Sequence, residues 1–100
     1  MNSIISLLNQ YETIYLVKPD LNEDNLLRVI ETYQGILLER GAKNIITQNR
    51  GRRHLKYPIS RFKDGVYIQM NYEANGEIVT LMEKSMKLNE SVLRYLTTKN

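Results

Sequence analysis

The chain has 100 residues, enough for one domain with a modest core, and no Cys, which excludes disulfides, thiolate metal sites and Cys nucleophiles. Its formal net charge is only +3, from 14 Lys and Arg against 11 Asp and Glu. The positive excess is local, because residues 1–40 hold six acids (Glu12, Asp20, Glu23, Asp24, Glu31, Glu39) against three bases (Lys18, Arg28, Arg40).

Met1–Leu8 is apolar but has no basic flank and no cleavage pattern, so the residues predict neither a signal peptide nor a transit peptide. No apolar run approaches the roughly 20 residues of a membrane span. The expectation is a chain that is cytosolic, or made inside the organelle where it works. Residues 1–9 read as an N-terminal extension, 10–97 as one domain, and 98–100 as a frayed tail.

Gln10–Lys18 is rich in β-formers, and both of its faces, Tyr11/Thr13/Tyr15/Val17 and Ile14/Leu16, are apolar. Such a strand belongs in the centre of a sheet. After Pro19, Asp20 or Asn22 can cap a helix, with Glu23 and Asp24 at its positive end. Leu26, Leu27, Ile30, Tyr33, Leu37 and Leu38 recur at helical spacing, and Gly41 suits the residue past the end, so the helix is predicted over 22–40. A long basic strand follows from Lys43. Arg61-Phe62-Lys63-Asp64-Gly65 reads as a loop, with Asp-Gly as the hairpin signal. Val66–Tyr72 alternates as a strand. Asn75 caps a second helix with an inner stripe of Ile78, Leu81, Met82, Ser85 and Leu88. Asn89-Glu90 breaks it, and Ser91–Thr97 forms the last strand. The order β-α-β-β-α-β is the α+β, ferredoxin-like arrangement: a four-stranded antiparallel sheet with two helices on one face and the other face open.

The stretch Lys43–Lys63 carries the functional signal. It holds Lys43, Arg50, Arg52, Arg53, Lys56, Arg61 and Lys63, and no carboxylate lies between Glu39 and Asp64. Alternation puts Gln48, Arg50, Arg52, His54 and Lys56 on one face and Ile45, Thr47, Leu55, Tyr57 and Ile59 on the other. Arg53 breaks the pattern, and Gly51 before it marks a candidate bulge that shifts the phase by one residue, so that two bands of charge, one before and one after it, would face solvent together. A solvated edge strand also uses cations to block pairing, but it favours Lys mixed with Glu. This run is led by Arg, whose planar fork suits phosphate. The residues therefore point to nucleic acid.

Catalysis has little support. His54 is the only His and sits among cations. No carboxylate pair or Gly-rich phosphate loop is evident, so no catalytic residue, metal or cofactor is expected. The seven Tyr residues raise a second reading, base stacking on the open face by a stand-alone single-strand RNA-binding module. The third strand lacks that module's Gly-aromatic signature, and Tyr15, Tyr33 and Tyr57 stand at core-like phases. Ile14, Leu16 and Leu93 are expected on the uncovered face, as a surface for a protein partner.

Three motifs then stand in order: Tyr11-Glu12 with Val17-Lys18-Pro19-Asp20-Leu21; Gly51-Arg52-Arg53-His54-Leu55-Lys56-Tyr57-Pro58-Ile59; and Lys87-Leu88-Asn89-Glu90-Ser91-Val92-Leu93-Arg94. With them the chain resembles, over about residues 10–96, the bacterial-type small-subunit ribosomal protein six family. Lys56 stands where that family commonly has a small residue. The resemblance implies the same fold and a structural, non-catalytic place in the small ribosomal subunit, in a bacterial cytoplasm or plastid stroma. It implies two partners: small-subunit ribosomal protein eighteen and the central domain of the small-subunit ribosomal RNA. Arg50, Arg52, Arg53, His54, Lys56, Arg61 and Lys63 are then the expected RNA contacts, and Arg94, Tyr57 and Tyr67 the expected partner-protein contacts.

Overall fold

The computed structural model describes residues 8–100; Met1–Leu7, most of the expected N-terminal extension, lie outside the described residues. The elements are β1 (Asn9–Val17), α1 (Glu23–Glu39), β2 (Lys43–Ile59), β3 (Phe62–Ala74), α2 (Gly76–Leu88) and β4 (Val92–Lys99). The strands form one antiparallel sheet in the order β2-β3-β1-β4, so β1 is central, as its two apolar faces require.

Local chemistry sets the helix ends. The Asn22 side chain accepts from the Asn25 N–H at 2.8 Å, and Asn75 accepts from Ile78 N–H at 2.9 Å. At the end of α1, Gly41 adopts φ +96°, and the Ala42 and Gly41 N–H groups close back onto Leu37 O and Leu38 O. That is a Schellman closure, and Ala42 and Leu37 both lie in the core it seals.

Both helices cover one face of the sheet. The face presents Tyr11, Thr13, Tyr15 and Val17 from β1 and Ile68, Met70, Tyr72 and Ala74 from β3. The helices answer with Tyr33, Leu37, Ile78, Val79, Met82 and Met86. The predicted stripes are thus displaced: Leu27, Leu38 and Leu88 are exposed, whereas Val79 and Met86 are buried. Thr13 is the one buried polar side chain in this core. Its hydroxyl is satisfied by Tyr72 OH at 2.7 Å and Thr97 Oγ1 at 2.8 Å, joining three strands. The Tyr15 hydroxyl is buried without a partner, and burial, reinforced by neighbouring Tyr33, raises its pKa well above the ordinary tyrosine range.

Two predicted boundaries are overturned. The hairpin turns at Ser60-Arg61, both at positive φ (49° and 73°), between the paired Ile59 and Phe62. Positive φ at both central residues marks a type I′ turn. Asp64-Gly65 lies inside β3, where Gly65 serves packing: a Cβ there would come within 2.3 Å of Leu16 Cδ1. The expected frayed tail is also corrected. β4 runs to Lys99, Tyr11 pairs with Lys99, and the Asn100 N–H donates to Gln10 O at 2.8 Å.

Candidate nucleic-acid interface

The geometry of the basic strand turns on Gly51. Asn49 pairs with Ile68 but Gly51 pairs with Tyr67, so β2 holds one extra residue, Arg50. Gly51 takes φ +90°, and its N–H donates to Asn49 Oδ1 at 2.8 Å. This is a bulge with glycine at the left-handed position, where a side chain would be strained.

Paired residues share a face, and the bulge divides the cations accordingly. Arg53 pairs with Gly65, and Gly51 with Tyr67; these lie on the open face, because Tyr67 pairs with Leu16. Arg52 pairs with Val66 and His54 with Asp64, on the helix side. Arg50 remains on the open face, where its Nε donates to Gln69 Oε1 at 2.9 Å. The single basic face predicted through Arg50, Arg52, His54 and Lys56 is therefore not formed. Arg50 and Arg53 face one way, and Arg52 and His54 the other.

The two groups differ in their partners as well as in direction. Asp64 reaches both Arg52 (3.1 Å) and His54 (3.0 Å), so these two are partnered by a carboxylate that lies past the acid-free stretch in sequence. The hydrogen bond from Arg52, then that from His54, holds the Asp64 carboxyl below its ordinary range. Among the described residues neither Arg50 nor Arg53 makes an ion pair. Gln69 holds Arg50 and in turn donates to Glu12 at 2.7 Å and Asn71 at 3.0 Å. Arg53 lies 6.0 Å from the centre of the Tyr67 ring. Lys56 and Lys63 are exposed, and Arg61 sits in the turn, away from the others.

Beside Arg53 the open face becomes apolar. Ile14, Leu16, Leu55, Tyr57, Tyr67 and Leu96 line a groove of about 290 Å³, with Lys56 and Arg94 at its rim and no carboxylate. Tyr57, assigned a core-like phase from sequence, is 71% exposed, because the bulge turns the odd positions after it to the open face. The groove brings together Arg94, Tyr57 and Tyr67. It also enlists Leu55, expected on the apolar face of the basic strand, and Leu96, which carried no expectation although its apolar character was visible. Leu16 does lie on this face but is covered, and Ile14 is exposed. Leu93 is the extra residue at a second bulge, between Val92 and Arg94, and lies away from the groove. Among the described residues no three His, Asp or Glu side chains gather to hold a metal.

Comparison with known proteins gives a consistent result. The family model described as Ribosomal protein S6 matches residues 10–99. Small ribosomal subunit protein bS6c of Guillardia theta is 67% identical over 91 residues, spanning 91% of this chain and 95% of that protein. Small ribosomal subunit protein bS6 of Cyanothece sp. is 46% identical over 87 residues, spanning 87% of this chain and 82% of that protein. The crystal structure of 30S ribosomal protein S6 from Thermotoga maritima superposes with a TM-score of 0.87, covering 93% of this chain and 88% of that one; at 21% identity it speaks to the fold. With the family model spanning nearly the whole chain and relatives this close, the chain belongs to the ribosomal protein S6 family, a component of the small ribosomal subunit.

Proposed function

We propose that this chain is a structural, non-catalytic constituent of the small subunit that binds the central domain of the small-subunit ribosomal RNA together with small-subunit ribosomal protein eighteen. Membership of the family puts its work in translation on the ribosome, in a bacterial cytoplasm or a plastid stroma. The observation that carries the finer reading is the open face. Two arginines without a carboxylate partner, Arg50 and Arg53, stand beside a carboxylate-free apolar groove on the same surface. Guanidinium groups suit phosphate, and the groove suits an apolar protein segment, so one face serves both partners. Lys56 and Lys63 add phosphate contacts, Arg52, His54 and Arg61 add others beyond the open face, and Arg94, Tyr57 and Tyr67 meet the protein.

The test uses the full chain, a central-domain RNA transcript and ribosomal protein eighteen. About six neutralised phosphates imply a loss of about 10³-fold in affinity between 50 and 200 mM salt. Arg50→Glu with Arg53→Glu is expected to abolish co-sedimentation with small subunits, and Leu96→Asp to abolish binding of the protein. Co-sedimentation at ordinary occupancy by the double charge reversal would defeat the reading. Preference for an unstructured oligonucleotide over the transcript, lost with Tyr67→Ala, would instead support a stand-alone single-strand binder.

A further inference from the structure

Arg61 does not join the other arginines. The hairpin turn carries it to a depression of about 560 Å³ that it shares with Lys18 and Lys87. These three cations come from separate elements. Lys18 lies just past β1, its N–H donating to Ser91 O at 2.9 Å; Lys87 sits in the last turn of α2; Arg61 occupies the turn itself. None of the three forms an ion pair among the described residues. Phe62 and Leu88 supply apolar surface, and Leu88 is 84% exposed, the most exposed large hydrophobic in the described chain.

The backbone adds a separate indication. Arg61 holds φ +73°, where this turn type favours Gly or Asn. Side chains held in such conformations cluster at functional sites. Asp20 and Glu90 also stand on the rim, so the site is mixed in charge. Carboxylates would repel an acidic peptide at every residue. Toward RNA they accept hydrogen bonds from ribose 2′-hydroxyls while the cations take the phosphate.

From this arrangement we infer that the depression is a second RNA contact that takes a single nucleotide of ribosomal RNA. Its phosphate lies among Arg61, Lys18 and Lys87, and its base rests on Phe62 and Leu88. The inference rests on the RNA-binding reading above and extends it to Lys18 and Lys87, which that reading does not use, and to a defined place for Arg61.

The experiment compares the full chain with a triple variant, Lys18→Gln, Arg61→Gly and Lys87→Gln, on the central-domain transcript with ribosomal protein eighteen. Affinity is measured across a salt series, and a thermal melt checks the fold. The salt slope of the variant is expected to be shallower by about 0.7–0.9, since one phosphate contact is lost, with a matching fall in affinity. The melt should be unchanged or raised, since glycine suits the turn. If the triple variant melts early, Lys87→Gln alone, on an exposed helix position, is expected to lower the affinity and flatten the slope by a part of that amount. An unchanged slope and affinity, while Arg50→Ala with Arg53→Ala lowers both, would overturn the inference and leave the RNA reading standing. Failure of the unaltered chain to bind the transcript would overturn both. Loss of binding to ribosomal protein eighteen in the absence of RNA would assign the depression to protein and overturn it as an RNA site.

Discussion

The two faces of the sheet are built from the same strands yet obey different rules. On the helix side, Tyr15, Tyr33, Ile68, Met70 and Met82 are fully buried, and the polar cluster of Thr13, Tyr72 and Thr97 is satisfied internally. On the open side, Ile14, Tyr57 and Leu96 stay exposed beside arginines without a carboxylate partner. Alternation along a strand lets one sequence serve both, with stability held on one face and recognition left to the other. Arg52, His54 and Asp64 are the exception: a salt-bridged group on the helix side of the edge strand, turned there by the bulge.

The sharpest way to break the comparison is a matched pair of truncations. Ile68→Ala on the covered face should cost about 2–5 kcal/mol in chemical denaturation, because a fully buried side chain leaves a cavity. Leu96→Ala, 65% exposed on the open face, should stay within about 0.5 kcal/mol while weakening binding of the protein partner. Equal costs would show that the open face is not free.

Next in size is Gly65→Ala, expected to destabilise by about 1–3 kcal/mol, since the new methyl displaces Leu16, which is 3% exposed. A smaller contrast separates two tyrosines of the covered face. Tyr72→Phe removes a hydroxyl bonded to Thr13 and should cost about 1 kcal/mol. Tyr15→Phe removes one that has no partner and should be neutral or stabilising by thermal melt.

The smallest effect is electrostatic. Asp64 has its folded pKa lowered by Arg52 and His54 below the ordinary value of an aspartate, 3.8. The carboxylate therefore stabilises the fold above that value, and the contribution is lost as pH falls through the folded pKa. An NMR titration should place the Asp64 midpoint below 3.8, and Arg52→Ala should move it upward.

Much was legible before folding because it depends on neighbours in sequence. The caps at Asn22, Asn75 and Gly41, the alternation of β3, the element order and the three family motifs all depend on residues a few positions apart. The bulge at Gly51 was legible as a candidate, since only glycine takes that φ freely. That charges before and after it could then share a face was legible too, as Arg50 and Arg53 do; that Arg52 and His54 turn to the helix side was not, because it depends on the register with β3.

Tertiary structure alone decided the rest. Asp64-Gly65 has the local chemistry of a turn, yet Gly65 lies in a strand because Leu16, from β1, needs the space over it. Thr98 and Lys99 are ordered because β1 offers them a partner edge. Asp64 reaches Arg52 and His54 only once the hairpin closes, and Lys18, Arg61 and Lys87 share one depression only when three elements converge. The order of residues by itself determined that this chain would concentrate guanidinium groups on one strand. Which of them remain without a carboxylate partner is a property of the sheet, because charges pair through space and not along the chain.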